Sequence, residues 1–280
     1  MAAFALAFAS SVAWGTADFI GGLKSRSLPL LNVLLLSQGV GLVVIGAFVA
    51  IRGDGAPGGD FAVFAALSGL AGIVGVAAFY RGLAVGNMGV VAPISACAAV
   101  VPVVVGIATG DRPSGLQSLG LVLALAGVVL ASREEGAGLR LSGETAAGAG
   151  LAVVAALGFG FFFLGIDRAS DADVAWAMLV NRATGVSLLL IATLVLRPPF
   201  RVGRVDLRAL VAAGLLDVSA NALFAVAATK GLVSLVSVLG SLYPLTTVTL
   251  AATVLHERPH RLAQVGVVGA LLGVALIAGG

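Results

Sequence analysis

The sequence predicts an all-α polytopic membrane protein with ten transmembrane helices, arranged as two inverted five-helix repeats. Three observations lead to this prediction. Sixty per cent of the 280 residues are hydrophobic and only 10% are charged. The apolar residues fall into ten stretches of membrane-spanning length, and the second half of the chain repeats the pattern of the first. A soluble core could not bury this much apolar surface, so the lipid bilayer is the predicted environment.

The ten apolar stretches are predicted to be helices. About 20 apolar residues cross the ~30 Å hydrocarbon core of a bilayer as a helix. Backbone groups in lipid must bond within the protein, and the strand alternation of a barrel is absent. The first stretch lacks a basic leader and a small-residue cleavage pattern, so we interpret it as a span and not as a signal peptide. The predicted spans are 3–23, 31–51, 61–80, 86–108, 114–132, 144–165, 175–196, 207–229, 232–255 and 260–279.

The two halves repeat at an offset of about 145 residues. A charged connector separates two predicted units, 1–135 and 144–280. Because five spans is an odd number, the second unit must enter the membrane from the opposite side. Such inverted repeats are typical of transporters, whose substrate site lies between the repeats near the membrane midplane. The matches include Phe79, Gly86 and Val90 with Phe224, Gly231 and Leu235, and Asp111-Arg112-Pro113 with Glu257-Arg258-Pro259.

Small residues on the last predicted span form a possible packing face. Gly269 and Gly273 make a small-xxx-small pair, which lets helix backbones approach closely where lipid supplies no hydrophobic driving force. Packing inside the monomer is favoured over a dimer contact, and the oligomeric state stays open between monomer and homodimer.

Ionisable residues inside spans are costly and mark functional pathways by default. Asp217 lies near the centre of predicted span eight, and Asn221 follows one turn later on the same face. A cost of ~2.5–3.5 kcal/mol for a central Asp disfavours a lipid-facing position. Two interpretations stay open: a carboxylate that couples transport to a proton, and a hydrogen bond between helices that fixes their packing.

Arg182 is predicted to lie about two turns inside span seven, where Gln38 occupies the equivalent place in span two. Three interpretations are open for its guanidinium. It could grip a substrate carboxylate as a bidentate fork, pair with Asp217 or Asp18 to lower the cost of burial, or extend to the membrane interface.

Aromatic residues complete the predicted substrate site. Trp14 and Asp18 lie one turn apart on span one, and a cavity wall often combines a ring with a carboxylate. Tyr243 and Pro244 interrupt span nine; broken helices line transporter sites, although a simple kink is the alternative. The predicted substrate-binding residues are Trp14, Asp18, Gln38, Arg182, Asp217, Asn221 and Tyr243, with Asp217 as the coupling residue.

The string from His256 to His260 matches the H-E-x-x-H pattern of zinc proteases, but we predict no metal there. Such a site needs both imidazoles on one face of a continuous helix, and Pro259 would break the turn between them. A proline at the first helical turn with an acid before it instead predicts caps for spans five and ten. No catalytic residue, cofactor or nucleotide-binding loop is predicted, and no basic stripe indicates nucleic acid.

Several of these segments resemble the EamA family of the drug/metabolite transporter superfamily. They are Trp14-Gly15-Thr16 in span one, and Ala222 to Ala225, Ser241 to Pro244 and His256 to Pro259 in the second half. The resemblance implies a ten-helix secondary transporter, usually an exporter of amino acids, related metabolites or drugs. The sequence departs from the family pattern at Asp111, where Glu is more common, and at Pro102, one turn later than Pro244.

We therefore expect a multi-pass protein of the cell (cytoplasmic or inner) membrane that exports a small organic metabolite, an amino acid or related zwitterion. Its expected partners are that substrate and the bilayer. Coupling to protons through a carboxylate, facilitated diffusion and exchange all stay open. The alternatives are a multidrug or cation exporter of the same fold and a non-transporting membrane scaffold. An intramembrane enzyme would need a nucleophile–base pair or metal cluster inside the spans.

Two signals disagree on orientation. Eleven Lys and Arg residues lie in the connectors away from the termini and four in those on the terminal side, which predicts termini outside the cytoplasm. The resemblance implies cytoplasmic termini. A reporter fused to Gly280 that is active on one side only would distinguish the two.

Overall fold

The computed structural model describes residues 2–25, 27–85, 94–95, 97–131, 143–254 and 261–279. Every regular element in these ranges is helical. The first half holds α1 (Ala2–Ser25), α2 (Leu30–Arg52), α3 (Phe61–Val85), a 3-10 turn (Cys97–Ala99), α4 (Val100–Thr109) and α5 (Gly115–Ala131). The second half holds α6 (Gly143–Ser170), α7 (Val174–Leu196), α8 (Arg204–Ala228), α9 (Val233–Gly240), α10 (Tyr243–Val254) and α11 (Arg261–Gly279).

Six of these helices are long and apolar enough to cross a membrane: α1, α2 and α3 in the first half, and α6, α7 and α8 in the second. They correspond to the first three predicted spans of each repeat. The other four predicted spans coincide in part with shorter apolar helices, and each also includes residues outside the described ranges. The chain is thus a multi-pass helical membrane protein, with six of the predicted spans present at full length.

The helix packing interleaves the two halves. Helix α3 of the first half packs along α6 of the second. The equivalent contact with the halves exchanged, α8 along α1, is also present. Helix α2 likewise packs along α8, and the equivalent pair in the exchanged halves, α7 and α3, also packs together. Exchanging the halves therefore turns one contact into another, which agrees with the two-fold relation expected from the sequence repeat.

The small-residue face of α11 packs inside the monomer, as predicted. A Cβ atom added to Gly273 would lie 2.5 Å from the backbone nitrogen of Ala124 on α5. One added to Gly127 on α5 would collide with the backbone nitrogen of Ala270 on α11. The two helices approach this closely because a glycine of one helix lies against an alanine backbone of the other, so no side chain larger than a methyl group separates them at these points.

The predicted interruption of span nine is confirmed. Helix α9 ends at Gly240 and α10 begins at Tyr243, with the intervening residues in a turn. Pro244 is the second residue of α10, a position that tolerates a missing N–H, whereas inside a continuous helix its ring would clash with the preceding turn. The break places Tyr243 at the wall of the central cavity.

The predicted cap of span five is wrong. Ser114 caps α5 instead: its hydroxyl accepts from the Gln117 N–H at 3.1 Å, and its own N–H donates to the Gln117 side chain at 2.9 Å. The Asp111 carboxylate accepts from the Ser234 N–H at 3.1 Å, at the start of α9 in the other half. Because Ser114 caps α5, the Asp111 carboxylate is available to bind the start of α9. The corresponding string in the second half, His256 to His260 with Glu257, lies outside the described residues.

Candidate functional site

A cavity of about 80 Å³ lies between the halves, with room for about half a dozen water molecules. Helices from both halves line it: α1, α2 and α3 from the first, and α6, α7, α8 and α10 from the second. All seven residues predicted for the substrate site line this one cavity: Trp14, Asp18, Gln38, Arg182, Asp217, Asn221 and Tyr243.

Arg182 pairs with Asp217 across the cavity wall. Its Nη1 lies 2.7 Å from Oδ2 of Asp217, and the two side chains are only 7% and 20% exposed. The same Nη1 donates to Oε1 of Gln38, whose Nε2 donates to Oδ2 of Asp217 at 3.4 Å. Of the three interpretations of Arg182, this geometry corresponds to the ion pair with Asp217. The amide of Gln38, from the other half of the chain, hydrogen-bonds to both members of the pair.

The backbone around this network is shaped to admit the guanidinium. A Cβ atom added to Gly41, one turn after Gln38 on α2, would lie 3.2 Å from Nε of Arg182. Asn221 lies on the Asp217 face, as predicted, and its amide donates to the Asp217 backbone carbonyl at 2.7 Å. This bond directs one Asn221 N–H to the backbone of α8, and the Asp217 carboxylate binds Arg182 and Gln38.

Asn181 fixes α7 next to Arg182. Its amide donates to the Ser68 hydroxyl at 2.9 Å, and that hydroxyl donates to the Phe162 carbonyl at 3.1 Å. A Cβ atom at Gly69 would collide with the Asn181 carbonyl. The chain Asn181–Ser68–Phe162 therefore holds α7, α3 and α6 together directly beside the cavity.

Asp18 is held in a different way. Its Oδ1 accepts from the Tyr80 hydroxyl of α3 at 3.2 Å, and no cationic side chain of the described residues lies within ion-pair distance of it. A Cβ atom at Gly21 would lie 2.5 Å from the Tyr80 hydroxyl, so Gly21 makes room for the contact. Sequence reasoning missed Tyr80, although one signal was present: both tyrosines of the chain fall inside predicted spans.

Aromatic rings form the apolar part of the cavity wall. Trp14 packs against Phe162, Phe163 and Phe224, with ring centroids 6.0, 5.9 and 5.5 Å away. Tyr243 meets Phe159 edge-on at 6.3 Å. Sequence reasoning missed the phenylalanines of α6, because a Phe run in an apolar span does not indicate which rings face a cavity.

The profile of the EamA-like transporter family matches the chain twice, over residues 1–133 and 146–279. The chain belongs to the EamA-like transporter family. This agrees with the resemblance noted in the sequence and with the drug/metabolite transporter superfamily. The two matched stretches fall on the two halves of the chain, so each half of this EamA-like protein is one copy of the family unit.

Solved structures share the fold of this EamA-like protein, and 29 of their chains match it. One, described only as the crystal structure of a protein, has a TM-score of 0.79 and 17% sequence identity, covering 98% of this chain and 95% of that chain. At that identity the likeness concerns the fold alone. A comparison with curated proteins found no match.

Proposed function

We propose that this EamA-like protein is a secondary transporter that exports a small amino acid or related zwitterion across the cell membrane. The two units, 1–135 and 144–280, would act as inverted five-helix repeats with ten spans, and their relative motion would give alternating access to the cavity. The observation that carries the proposal is the convergence of three ionisable side chains, Asp18, Arg182 and Asp217, on one cavity between the halves.

The charges of the cavity support a transport role. Ionisable groups inside membrane spans are costly, and as a rule they face a pathway. An ion pair that served packing alone could be replaced by apolar residues at little or no cost in stability. The Arg182–Asp217 pair instead lies on the wall of a cavity wide enough for a small solute, so both groups are within reach of a substrate.

The Arg182–Asp217 pair also suggests how substrate and proton could be coupled. A substrate carboxylate would compete with Asp217 for the guanidinium, whose planar fork suits a carboxylate. Displaced from Arg182, the Asp217 carboxylate would lie in a low-dielectric site without its cation, where binding a proton removes the cost of the charge. One event would then link substrate binding to protonation of Asp217, the predicted coupling residue.

An organic-cation exporter is the second candidate. Two carboxylates and one guanidinium line the cavity, so an excess of one negative charge is present when all three are ionised. That excess would favour a solute with net positive charge over a zwitterion.

Flux into proteoliposomes tests these functions. We expect purified protein to take up radiolabelled amino acids saturably, with counterflow when unlabelled amino acid is trapped inside and acceleration by a pH gradient. Flux of organic amines without amino acids would favour the cation exporter. Absence of flux across a broad pool of amino acids and amines would contradict transport and favour the scaffold.

A further inference from the structure

We propose that Asp18 and Tyr80 form a subsite for the ammonium group of the transported solute. The inference rests on the proposed transport function and assigns one end of the substrate to one end of the cavity. It applies to an amino acid and to an organic amine alike, because both carry an ammonium group.

The two cavity carboxylates are paired unequally. Asp217 has Arg182 at 2.7 Å, and Gln38 adds a further donor. Asp18 has the Tyr80 hydroxyl at 3.2 Å and no cation within ion-pair distance among the described residues. A hydroxyl can orient a carboxylate but cannot neutralise it. A cationic solute is therefore attracted to Asp18, since the guanidinium already balances Asp217.

The contact between Asp18 and Tyr80 joins two helices. Asp18 lies on α1, and Tyr80 is a buried residue of α3. Gly21 follows Asp18 by one turn and carries no side chain where the Tyr80 hydroxyl approaches. Any larger residue at Gly21 would push the hydroxyl away, so three positions on two helices fix the orientation of one carboxylate.

Aromatic rings form part of the cavity wall that Asp18 shares. Trp14 precedes Asp18 by one turn on the same face of α1, and the rings of Phe159 and Tyr243 line the same cavity. Aromatic faces attract cations, and a carboxylate beside several rings is a suitable site for an organic ammonium group. Hard metal cations prefer six or more oxygen ligands, which this aromatic wall does not offer, so the geometry favours an organic ammonium ion.

Three related compounds separate the two ends of such a substrate. L-leucine carries both charged groups, isoamylamine only the ammonium, and isocaproate only the carboxylate. The experiment measures the melting temperature of purified protein in detergent with each compound, because a ligand of the native state raises it. The variants are Asp18→Asn, which removes the charge, and Asp167→Asn as a matched control. Asp167 is a carboxylate near the end of α6 that is not part of the cavity wall.

We expect isoamylamine to raise the melting temperature of the wild-type protein and of Asp167→Asn, and to lose this effect in Asp18→Asn. Any shift with isocaproate should persist in Asp18→Asn, because a carboxylate would bind at Arg182 and not at Asp18. The proposal is overturned if isoamylamine does not stabilise the wild-type protein or stabilises Asp18→Asn equally. It is also overturned if the response is lost in Asp217→Asn and kept in Asp18→Asn, because the cation site would then be Asp217.

A second measurement needs no variant and therefore does not depend on whether Asp18→Asn folds. A hydrophobic carbodiimide labels carboxyl groups, and peptide mass spectrometry locates the label. The amine for this measurement is N,N-dimethylisoamylamine, because a primary amine would form an amide with the activated carboxyl and isocaproate would itself consume the carbodiimide. The tertiary amine should protect Asp18 in the wild-type protein, and a neutral ether of similar size should not. Equal labelling with and without the amine would contradict the subsite. Flux that persists unchanged in Asp18→Asn overturns the subsite alone, whereas amine protection of Asp18 without any flux overturns the transport function alone.

Discussion

Two Arg–Asp pairs in this protein have the same length and different surroundings. In the cavity, Nη1 of Arg182 lies 2.7 Å from Asp217, with side chains 7% and 20% exposed. At the ends of α2 and α7, Nη2 of Arg52 lies 2.7 Å from Asp173, with side chains 30% and 24% exposed. Distance therefore does not distinguish the pairs. Bulk water screens the outer pair, Arg52–Asp173, more than the inner pair, Arg182–Asp217, because the Arg52 side chain is 30% exposed and that of Arg182 is 7% exposed. The inner pair lines the cavity.

The outer pair, Arg52–Asp173, stabilises the ends of two helices. Asp173 caps α7 by accepting from the Trp176 N–H at 2.9 Å, and Arg52 also pairs with Asp54 at 2.7 Å. These contacts join the end of α2 in the first half to the start of α7 in the second. The outer pair, in which Asp173 also caps a helix and Arg52 also binds a second carboxylate, thus positions helix ends. The inner pair is accessible to a solute in the cavity.

The largest effect should come from Arg182. Arg182→Ala leaves the Asp217 carboxylate buried without its cation, which costs about 3–5 kcal/mol for a buried pair, and transport should be lost. Arg182→Lys should impair transport almost as much, because an ammonium lacks the planar fork. Melting temperature and proteoliposome flux are the measurements, with Arg52→Lys as the control. Full activity of Arg182→Lys would show that a point charge is sufficient.

Asp217→Asn should abolish or uncouple transport while the protein stays folded. Asn keeps the shape and hydrogen-bonding capacity of the side chain and removes the titratable charge. Flux with and without a pH gradient is the measurement, and Asp206→Asn, at the outer end of the same helix α8, is the matched control. A variant that keeps the wild-type rate and pH dependence would show that the Asp217 carboxylate is structural.

A smaller effect is expected at Asp173, and it should depend on pH. Burial by itself raises the pKa of Asp173, but hydrogen bonds from the Arg52 guanidinium and the Trp176 N–H outweigh it, so the pKa is lowered. A lowered folded-state pKa stabilises the protein above the unfolded pKa of about 3.9, and this contribution is lost as pH falls through the folded-state value.

Asp173→Asn should therefore be less stable than wild type at neutral pH, by no more than a few degrees in melting temperature. Asn also caps helices well, so the substitution isolates the charge. The difference should vanish in strong acid, and flux at neutral pH should be unchanged. A difference that stays constant across the acid range would point to packing and not to the charge.

The smallest effect is expected at Lys24, which pairs with Asp206 at 2.8 Å across the halves. The pair is partly exposed, so Lys24→Gln should change neither flux nor melting temperature measurably, and high salt should mask any remainder. Loss of flux in Lys24→Gln would mean that ion pairs outside the cavity also control access to it.

The sequence predicted the helical class and the first three helices of each half, and the seven side chains that it grouped into one site are among the sixteen described residues that line the cavity. It succeeded there because burial cost depends on a residue's own chemistry and its place along a span: Asp217 is costly at the centre of a helix whatever surrounds it. It failed for Asp111, because the nearer Ser114 caps α5 and the carboxylate binds the start of α9. It missed Tyr80, because a tyrosine in an apolar span carries no sign of its partner.

The sequence by itself determined which residues are energetically costly to bury in the membrane. Only the tertiary structure decided which partner lowers that cost for each of them. Pairing depends on distances between side chains that are far apart along the chain, such as Gln38 with Arg182 and Asp18 with Tyr80. Those distances follow from the packing of glycine-lined helix faces. Helix packing therefore decided that Asp217 has a cation and that Asp18, among the residues that the structure describes, has a hydroxyl and no cation.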